Sequence, residues 1–357
     1  MLNLRSYAVF AFLIATAGWQ IPAALGARDF GRFETSDDLV DPIQRARAAD
    51  LTLDEHFVDV GDGVILHVVE YRPAGRPQPG RARAVLMLTG TLVTNAQWTS
   101  DGGDGLEYNA LAIAAAAGFN AFAATYEGYG LSTHPADGRT VTAERLLWQA
   151  GALVEWIRHR RHVARVDLVG ASLGSSLAIA LGGLDSPIPR RHIGKIVLTS
   201  LVHRSASLLM QQILFSPETR MALESAPNGY VPTVPPMYGI ILSHAELAAA
   251  AWAYETFPGI YATGPTLEGF DLPIFDAARG RAPALQLLGD GDLVTPREDA
   301  DAFQAEYGGP VDLVVLPGGH ALNFEASKVT FWQHALDFLD APRRIAGDHE
   351  RCAADSR

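Results

Sequence analysis

The sequence predicts an α/β fold: a mostly parallel sheet of eight strands, helices on both of its faces, and a helical insertion late in the chain. Three observations carry this. Short, mainly apolar runs at 84–88 (unbroken), 121–125, 166–169, 196–199, 284–288 and 311–316 read as strands of a buried sheet. Helical stretches alternate with them, the order that builds a parallel sheet covered on two faces. At 357 residues the chain is long enough for one large core carrying an insertion.

Taken in order, residues 1–27 come first. Arg5 is their only charged side chain, an apolar stretch follows from Tyr7 to Trp19, and Ala23-Ala24-Leu25-Gly26-Ala27 supplies small residues. This is the layout of a secretory signal peptide, and it predicts a secreted or periplasmic protein. The alternative is an uncleaved membrane anchor over 7–27, the only membrane contact the sequence suggests. Residues 28–52 are mixed and polar and read as a lead-in. A hairpin follows, with strands at 56–60 and 64–69 around Gly61-Asp62-Gly63.

Helices are expected at 106–117, 142–162, after residue 172, at 297–307 and at 324–339, each between two of the strands above or closing the series. The core is thus 53–200 and 283–342. Residues 201–282 interrupt it and are too long for a plain loop, so they read as a cap or lid with helical pieces near 208–215 and 248–254. The polar tail 343–357 is expected to be disordered.

Composition narrows the function classes. A formal net charge of −12, with no Lys/Arg run of note, excludes a nucleic-acid partner. Cys352 is the single cysteine, so no internal disulfide can form. No metal-ligand cluster is visible, and no metal or cofactor is expected.

The chemistry centres on Gly170-Ala171-Ser172-Leu173-Gly174, a G-x-S-x-G run between a strand and a helix. That arrangement holds a nucleophilic serine on a strained bend above a sheet. A serine hydroxyl needs a base in contact, and the base needs an orienting acid. Two later strands end in loops that supply them: Gly289-Asp290-Gly291-Asp292-Leu293-Val294-Thr295-Pro296, then Pro317-Gly318-Gly319-His320. His320 is the candidate base, and Asp290 and Asp292 compete as the acid. His203 also follows a strand but precedes the acid loop, the wrong order for this arrangement. Donors for the oxyanion are expected from the backbone N–H of Leu173 and, in the loop Thr89-Gly90-Thr91-Leu92, of Thr91.

With these residues in place, the chain resembles the α/β-hydrolase superfamily over about 57–339, the cap apart. The resemblance rests on Thr89-Gly90-Thr91, Glu127-Gly128-Tyr129-Gly130-Leu131-Ser132, the elbow at Ser172, the loop from Gly289 to Pro296, and Gly319-His320. The family's acid loop, G-x-x-D-x-x-x-P, implies Asp292 as the acid. The resemblance implies an eight-stranded sheet with one antiparallel strand and a cap between the sixth and seventh strands. Two departures bear on the oxyanion loop. Thr89-Gly90 stands where the family has His-Gly, and Thr125-Tyr126-Glu127-Gly128-Tyr129-Gly130 stands for its Asp-x-Arg-Gly-x-Gly. Asp62-Gly63-Val64-Ile65-Leu66 and residues 111–119 are similar to the acid-lipase branch. A serine nucleophile argues against the branches that use aspartate.

The expected function is a serine esterase or lipase-like hydrolase. Ser172 would attack, His320 act as base and Asp292 orient it, on a small-molecule or lipid-like ester. Leu209, Met210, Phe215, Trp252, Tyr254, Phe257 and Tyr261 make the cap apolar and suggest a pocket for an acyl chain or ring. The alternatives are the same triad serving thioester, lactone or C–C hydrolysis or acyl transfer, and a non-catalytic binding protein on the same scaffold.

Overall fold

The computed structural model describes residues 41–75, 82–100, 106–232 and 235–342, the side chains at 235–237 excepted. The expected signal segment, residues 28–40 of the lead-in and the tail 343–357 lie outside the described residues. Ten strands are β1 (Leu51–Gly61), β2 (Val64–Pro73), β3 (Arg83–Leu88), β4 (Phe119–Ala124), β5 (Val166–Ala171), β6 (Ile193–Thr199), β7 (Tyr230–Pro232), β8 (Ile260–Ala262), β9 (Ala284–Gly289) and β10 (Val311–Leu316). Eight of them form one sheet in the order β1-β2-β4-β3-β5-β6-β9-β10. β2 pairs antiparallel with both β1 and β4, and every other pair is parallel, so β2 alone runs against the rest.

The central strands are covered on both faces, so alternate residues feed different layers of the core. Leu86, Leu168 and Leu198 face the helices α4 (Ala143–Arg161) and α5 (Leu173–Leu181), through Leu146, Leu153, Ile157 and Leu177. Val85, Met87, Val169 and Val197 face the opposite layer. That layer holds α1 (Pro42–Ala48), α3 (Ala110–Ala116) and α12 (Lys328–Asp340), with Phe331 and Trp332 wholly buried. Each such side chain stabilises the fold by about 1.5–3 kcal/mol relative to exposure. α2 is the single turn Ala96–Thr99.

Three expectations change in detail. The lead-in is partly structured: Asp41 caps α1 by accepting from Ile43 N at 2.8 Å, and Ile43 and Ala46 are buried. β1 already begins at Leu51. The helix expected over 106–117 starts at Ala110, because the side chain of Asn109 accepts from Ala112 N and caps it there. The last helix starts at Lys328 rather than 324, since a 3-10 turn at Leu322–Phe324 carries the chain away from His320 first.

The insertion at 201–282 holds α6 (Leu208–Ile213), α7 (Pro217–Glu224), α8 (Pro235–Ile241), α9 (Leu247–Thr256) and α10 (Gly264–Glu268). β7 and β8 form a small antiparallel ribbon that periodicity did not foresee, being only three residues each. Tyr238, Leu242, Ala253 and Phe257 pack onto Val93, Tyr108 and Phe324 of the core. Lys328 adds ion pairs to Glu107 at 2.9 Å and Glu246 at 2.7 Å. The remaining helix, α11 (Arg297–Glu306), links β9 to β10. No helix among the described residues is long and apolar enough to cross a membrane.

Register matters most for function. Leu88 pairs with Gly170, Ala171 with Thr199, and Gly289 with Leu316. The loops after β3, β5, β6, β9 and β10 therefore leave one edge of the sheet side by side.

Candidate active site

Ser172 sits between β5 and α5 at φ 51° and ψ −117°. A non-glycine residue there costs on the order of 1–3 kcal/mol and persists only when its surroundings hold it. They do. Ser172 N donates to Thr199 O at 3.0 Å, and Ser172 O accepts from Ser175 N at 2.9 Å. Ser175 Oγ bonds Gly170 O at 2.7 Å and Thr199 O at 2.9 Å. The flanking glycines are required by contact. A Cβ on Gly170 would stand 2.4 Å from Gly174 O, and one on Gly174 would stand 2.2 Å from Leu88 O.

His320 follows β10, and its Nδ1 lies 3.0 Å from both carboxylate oxygens of Asp292. Asp292 Oδ1 also accepts from Val294 N at 2.7 Å and Thr295 N at 3.0 Å. Burial pushes the Asp292 carboxyl up, but the charge and hydrogen bond of His320, with those two amides, outweigh it and hold the group below its ordinary value. Asp290 makes a different contact: its Oδ1 takes Gly318 N at 3.0 Å on the exposed side. His203 is buried against Glu306 at 3.0 Å and does not line the cavity described below.

Two groups that the sequence did not mark hold the backbone around His320. Ser200 Oγ donates to His320 O. Glu325, wholly buried, accepts Gly319 N at 2.6 Å and Ala321 N at 3.1 Å, bracketing the histidine. Burial raises the Glu325 carboxyl above its ordinary value, against the pull of those amides and of His244, while Asp292 adds to the rise. A raised acid stabilises the fold most below its unfolded value, and that contribution is lost as pH rises through the folded one. As pH rises from the ordinary glutamate value through the raised one, Glu325→Gln should therefore gain stability relative to wild type. Denaturant unfolding of both proteins across that range checks it; a pH-independent difference would refute it.

Several polar groups of the loop after β3 are occupied. Thr89 O accepts from Tyr126 OH at 2.8 Å. Gly90 N donates to Gln97 Oε1 at 2.9 Å. Leu92, at φ 61°, gives its amide to Tyr129 OH. Thr91 Oγ1 meets Thr266 Oγ1 at 3.0 Å and Tyr129 OH at 3.4 Å. Burial pushes the Tyr129 hydroxyl up to about 12 and that of Tyr126 higher still, so both remain neutral. Among the described residues this leaves the N–H of Thr91 without a hydrogen bond, like that of Leu173 in the first turn of α5. The two sequence departures thus pack against each other, with tyrosines of the second supporting the loop of the first.

Ser172, His320, Thr91 and Leu173 line one cavity of about 1060 Å³, its open mouth included. No hydrogen bond joins Ser172 Oγ to His320 among the described residues; in hydrolytic sites such contacts often tighten only around substrate. Met210, Phe215 and Phe257 line the walls, as expected of the cap. Trp252 instead stacks edge-on to Phe257 at 5.3 Å, and Tyr261 on Tyr129 at 4.9 Å, so these two pack the cap rather than face the cavity. None of the described lining residues is Asp, Glu, Lys or Arg.

Away from the cavity, Asp54, His56 and Glu70 form the one cluster of potential metal ligands among the described residues. Glu70 is already held by Arg161 through two bonds of 2.5 Å and by His56 at 2.9 Å, and Arg72 takes Asp54 at 3.2 Å. The arginines supply the positive charge that an ion would otherwise bring.

No family model matches the sequence, and no curated protein matches it. Solved structures do. A hydrolase from Pseudomonas aeruginosa PA01 is 19% identical, covers 81% of this chain and 99% of its own, and superposes with a TM-score of 0.56. An E-2-(acetamidomethylene)succinate hydrolase is 18% identical over 81% of this chain and all of its own, with a TM-score of 0.56. A 2-hydroxy-6-oxo-6-phenylhexa-2,4-dienoate hydrolase from a Rhodococcus strain is 16% identical, covers 81% of this chain and 99% of its own, and has a TM-score of 0.54. The fold is the α/β-hydrolase fold.

Proposed function

We propose that this protein is a serine hydrolase that cleaves a neutral carboxylic ester through an acyl-enzyme. The observation that carries the reading is that a strained serine and a carboxylate-bound histidine line one cavity with two free backbone N–H groups. Ser172 Oγ attacks the ester carbonyl while His320 Nε2 takes its proton. The C=O electrons move onto oxygen, where Thr91 and Leu173 N–H stabilise the charge. Collapse expels the alcohol, which takes the proton back from His320. Water then attacks the acyl-enzyme by the same route, releasing the acid and restoring Ser172. Asp292 keeps the Nδ1 proton of His320 in place and stabilises the imidazolium. A fluorophosphonate probe tests the reading: it should label the wild-type protein at Ser172, and failure to label would remove the triad from consideration.

The cavity walls support a neutral substrate. Two of the structural neighbours act, by name, on a succinate and a dienoate. No lysine or arginine lines the described cavity here, so a buried substrate carboxylate would have no cation to pair with. Burying an unpaired charge costs several kcal/mol. We therefore expect 4-nitrophenyl hexanoate to be turned over with a kcat/KM at least ~100-fold above that of the 4-nitrophenyl monoester of adipic acid. Comparable values for this length-matched pair would rule out the neutral-substrate reading.

A further inference from the structure

Gln97 is a cavity-lining residue that the mechanism above does not use. It belongs to the single turn α2, seven residues past Gly90, and its side chain folds back onto the oxyanion loop. The hydrogen bond from Gly90 N to Gln97 Oε1, at 2.9 Å, decides which way the carboxamide faces. An amide flipped the other way would set N–H against N–H. With Oε1 so committed, Nε2 is the end left over, and it makes no hydrogen bond among the described residues.

The position is close to the reacting centre. A Cβ built on Gly90 would stand 3.5 Å from Ser172 Cβ and 3.8 Å from Gln97 Oε1, so the two side chains flank one point. The other hydroxyls around it are mostly engaged. Thr91 and Thr266 bond each other at 3.0 Å, and Ser200 holds His320 O. An NH₂ group with no partner in a largely apolar wall is satisfied by water or by an acceptor on the ligand.

We propose that Gln97 Nε2 hydrogen-bonds the substrate carbonyl oxygen as it becomes the oxyanion, a side-chain donor beside the backbone N–H groups of Thr91 and Leu173. This rests on the reading of Ser172 as the nucleophile. No bond is made or broken by Gln97. It donates a hydrogen bond that strengthens as negative charge collects on the oxygen, and so favours the transition state over the bound ester. The same carboxamide has a second effect: it takes Gly90 N–H away from the ligand, while Thr91 N–H carries no hydrogen bond among the described residues.

Two variants separate donation from support of the loop. Glu at 97 keeps an acceptor for Gly90 N–H and removes the donor, while Leu removes both without adding charge. Both should be assayed on an ester and on its thionoester, whose sulfur accepts hydrogen bonds poorly. For Gln97→Glu and Gln97→Leu, kcat on the ester should fall by roughly 100-fold with KM within about threefold of wild type. The ester-to-thionoester rate ratio should fall about tenfold or more in both, because the lost bond was made to the carbonyl oxygen. Wild-type kcat in Gln97→Glu would overturn the proposal. So would equal losses on both substrates, which would make Gln97 only a support for Gly90. Fluorophosphonate labelling of wild type keeps the two readings apart. Labelling with unaffected Gln97 variants removes this proposal alone, whereas a wild-type protein that does not label removes the triad as well.

Discussion

Ser172→Ala should lower ester turnover by ~10⁴-fold or more and abolish fluorophosphonate labelling, with the fold intact. The loss is large because no other group can take the oxygen's place at the elbow. Ser175 Oγ, the nearest hydroxyl along the helix, is buried and committed to Gly170 O and Thr199 O. The fold should survive because the bonds that hold the elbow are made by the backbone of Ser172, which alanine retains. Circular dichroism and a thermal midpoint within a few degrees of wild type would confirm that. His320→Ala added to Ser172→Ala should cost little more, since members of one catalytic unit are not additive. Turnover within tenfold of wild type would move the nucleophile elsewhere.

Asp292→Asn should be the second largest effect, with kcat down by about 10³–10⁴-fold while KM changes little. Asparagine can still accept from Val294 N and Thr295 N, so the loop has reason to keep its shape. What is lost is the charge 3.0 Å from His320 Nδ1. Without it the imidazolium formed during attack has no counter-ion, and the tautomer with its proton on Nδ1 is no longer favoured. Asp290→Asn is the control. Among the described residues its carboxylate takes only Gly318 N, and turnover should stay within about threefold. If Asp290→Asn were the variant to lose activity, the acid would be misassigned. The linkage also has a sign. Asp292 is held below its ordinary value, so its ionised form stabilises the fold above the unfolded value, and that contribution fades as pH falls through the folded one. Asp292→Asn should thus be least stable relative to wild type near neutral pH, with the gap closing in acid.

The sheet was readable from local chemistry. Runs such as Ala284–Gly289, buried at every position, announce a strand covered on both sides, and α3 and α4 between the strands are capped by Asn109 and Thr142. Short or contact-dependent elements were not. α1 looks like a loose lead-in because only Pro42, Ile43 and Ala46 mark its buried side, and three-residue β7 and β8 are too short to show a period. In the cap, apolar side chains signalled burial without saying against what. Phe257 faces the cavity, while Tyr261 turns away to pack on Tyr129.

The site divides along the same line. G-x-S-x-G, the order of the three loops, and the placing of His320 after a late strand are properties of short segments, and the sequence alone determined them. Between Asp290 and Asp292 local pattern left a choice, because turn chemistry favours aspartate at either. Only the tertiary structure shows which one touches His320. It alone shows Glu325 bracketing the base, Tyr126 and Tyr129 filling in beneath a loop with unfamiliar residues, and Gln97 taking the Gly90 amide. Each of these is a contact between groups that come together through the sheet's register or a loop's fold. Hydrogen bonds of that kind depend on angles and distances between chain segments, which periodicity and spacing along one segment do not encode. The sequence determined that a serine would stand at the edge of a parallel sheet; the folded contacts decided which donors, which acid and which uncharged walls surround it.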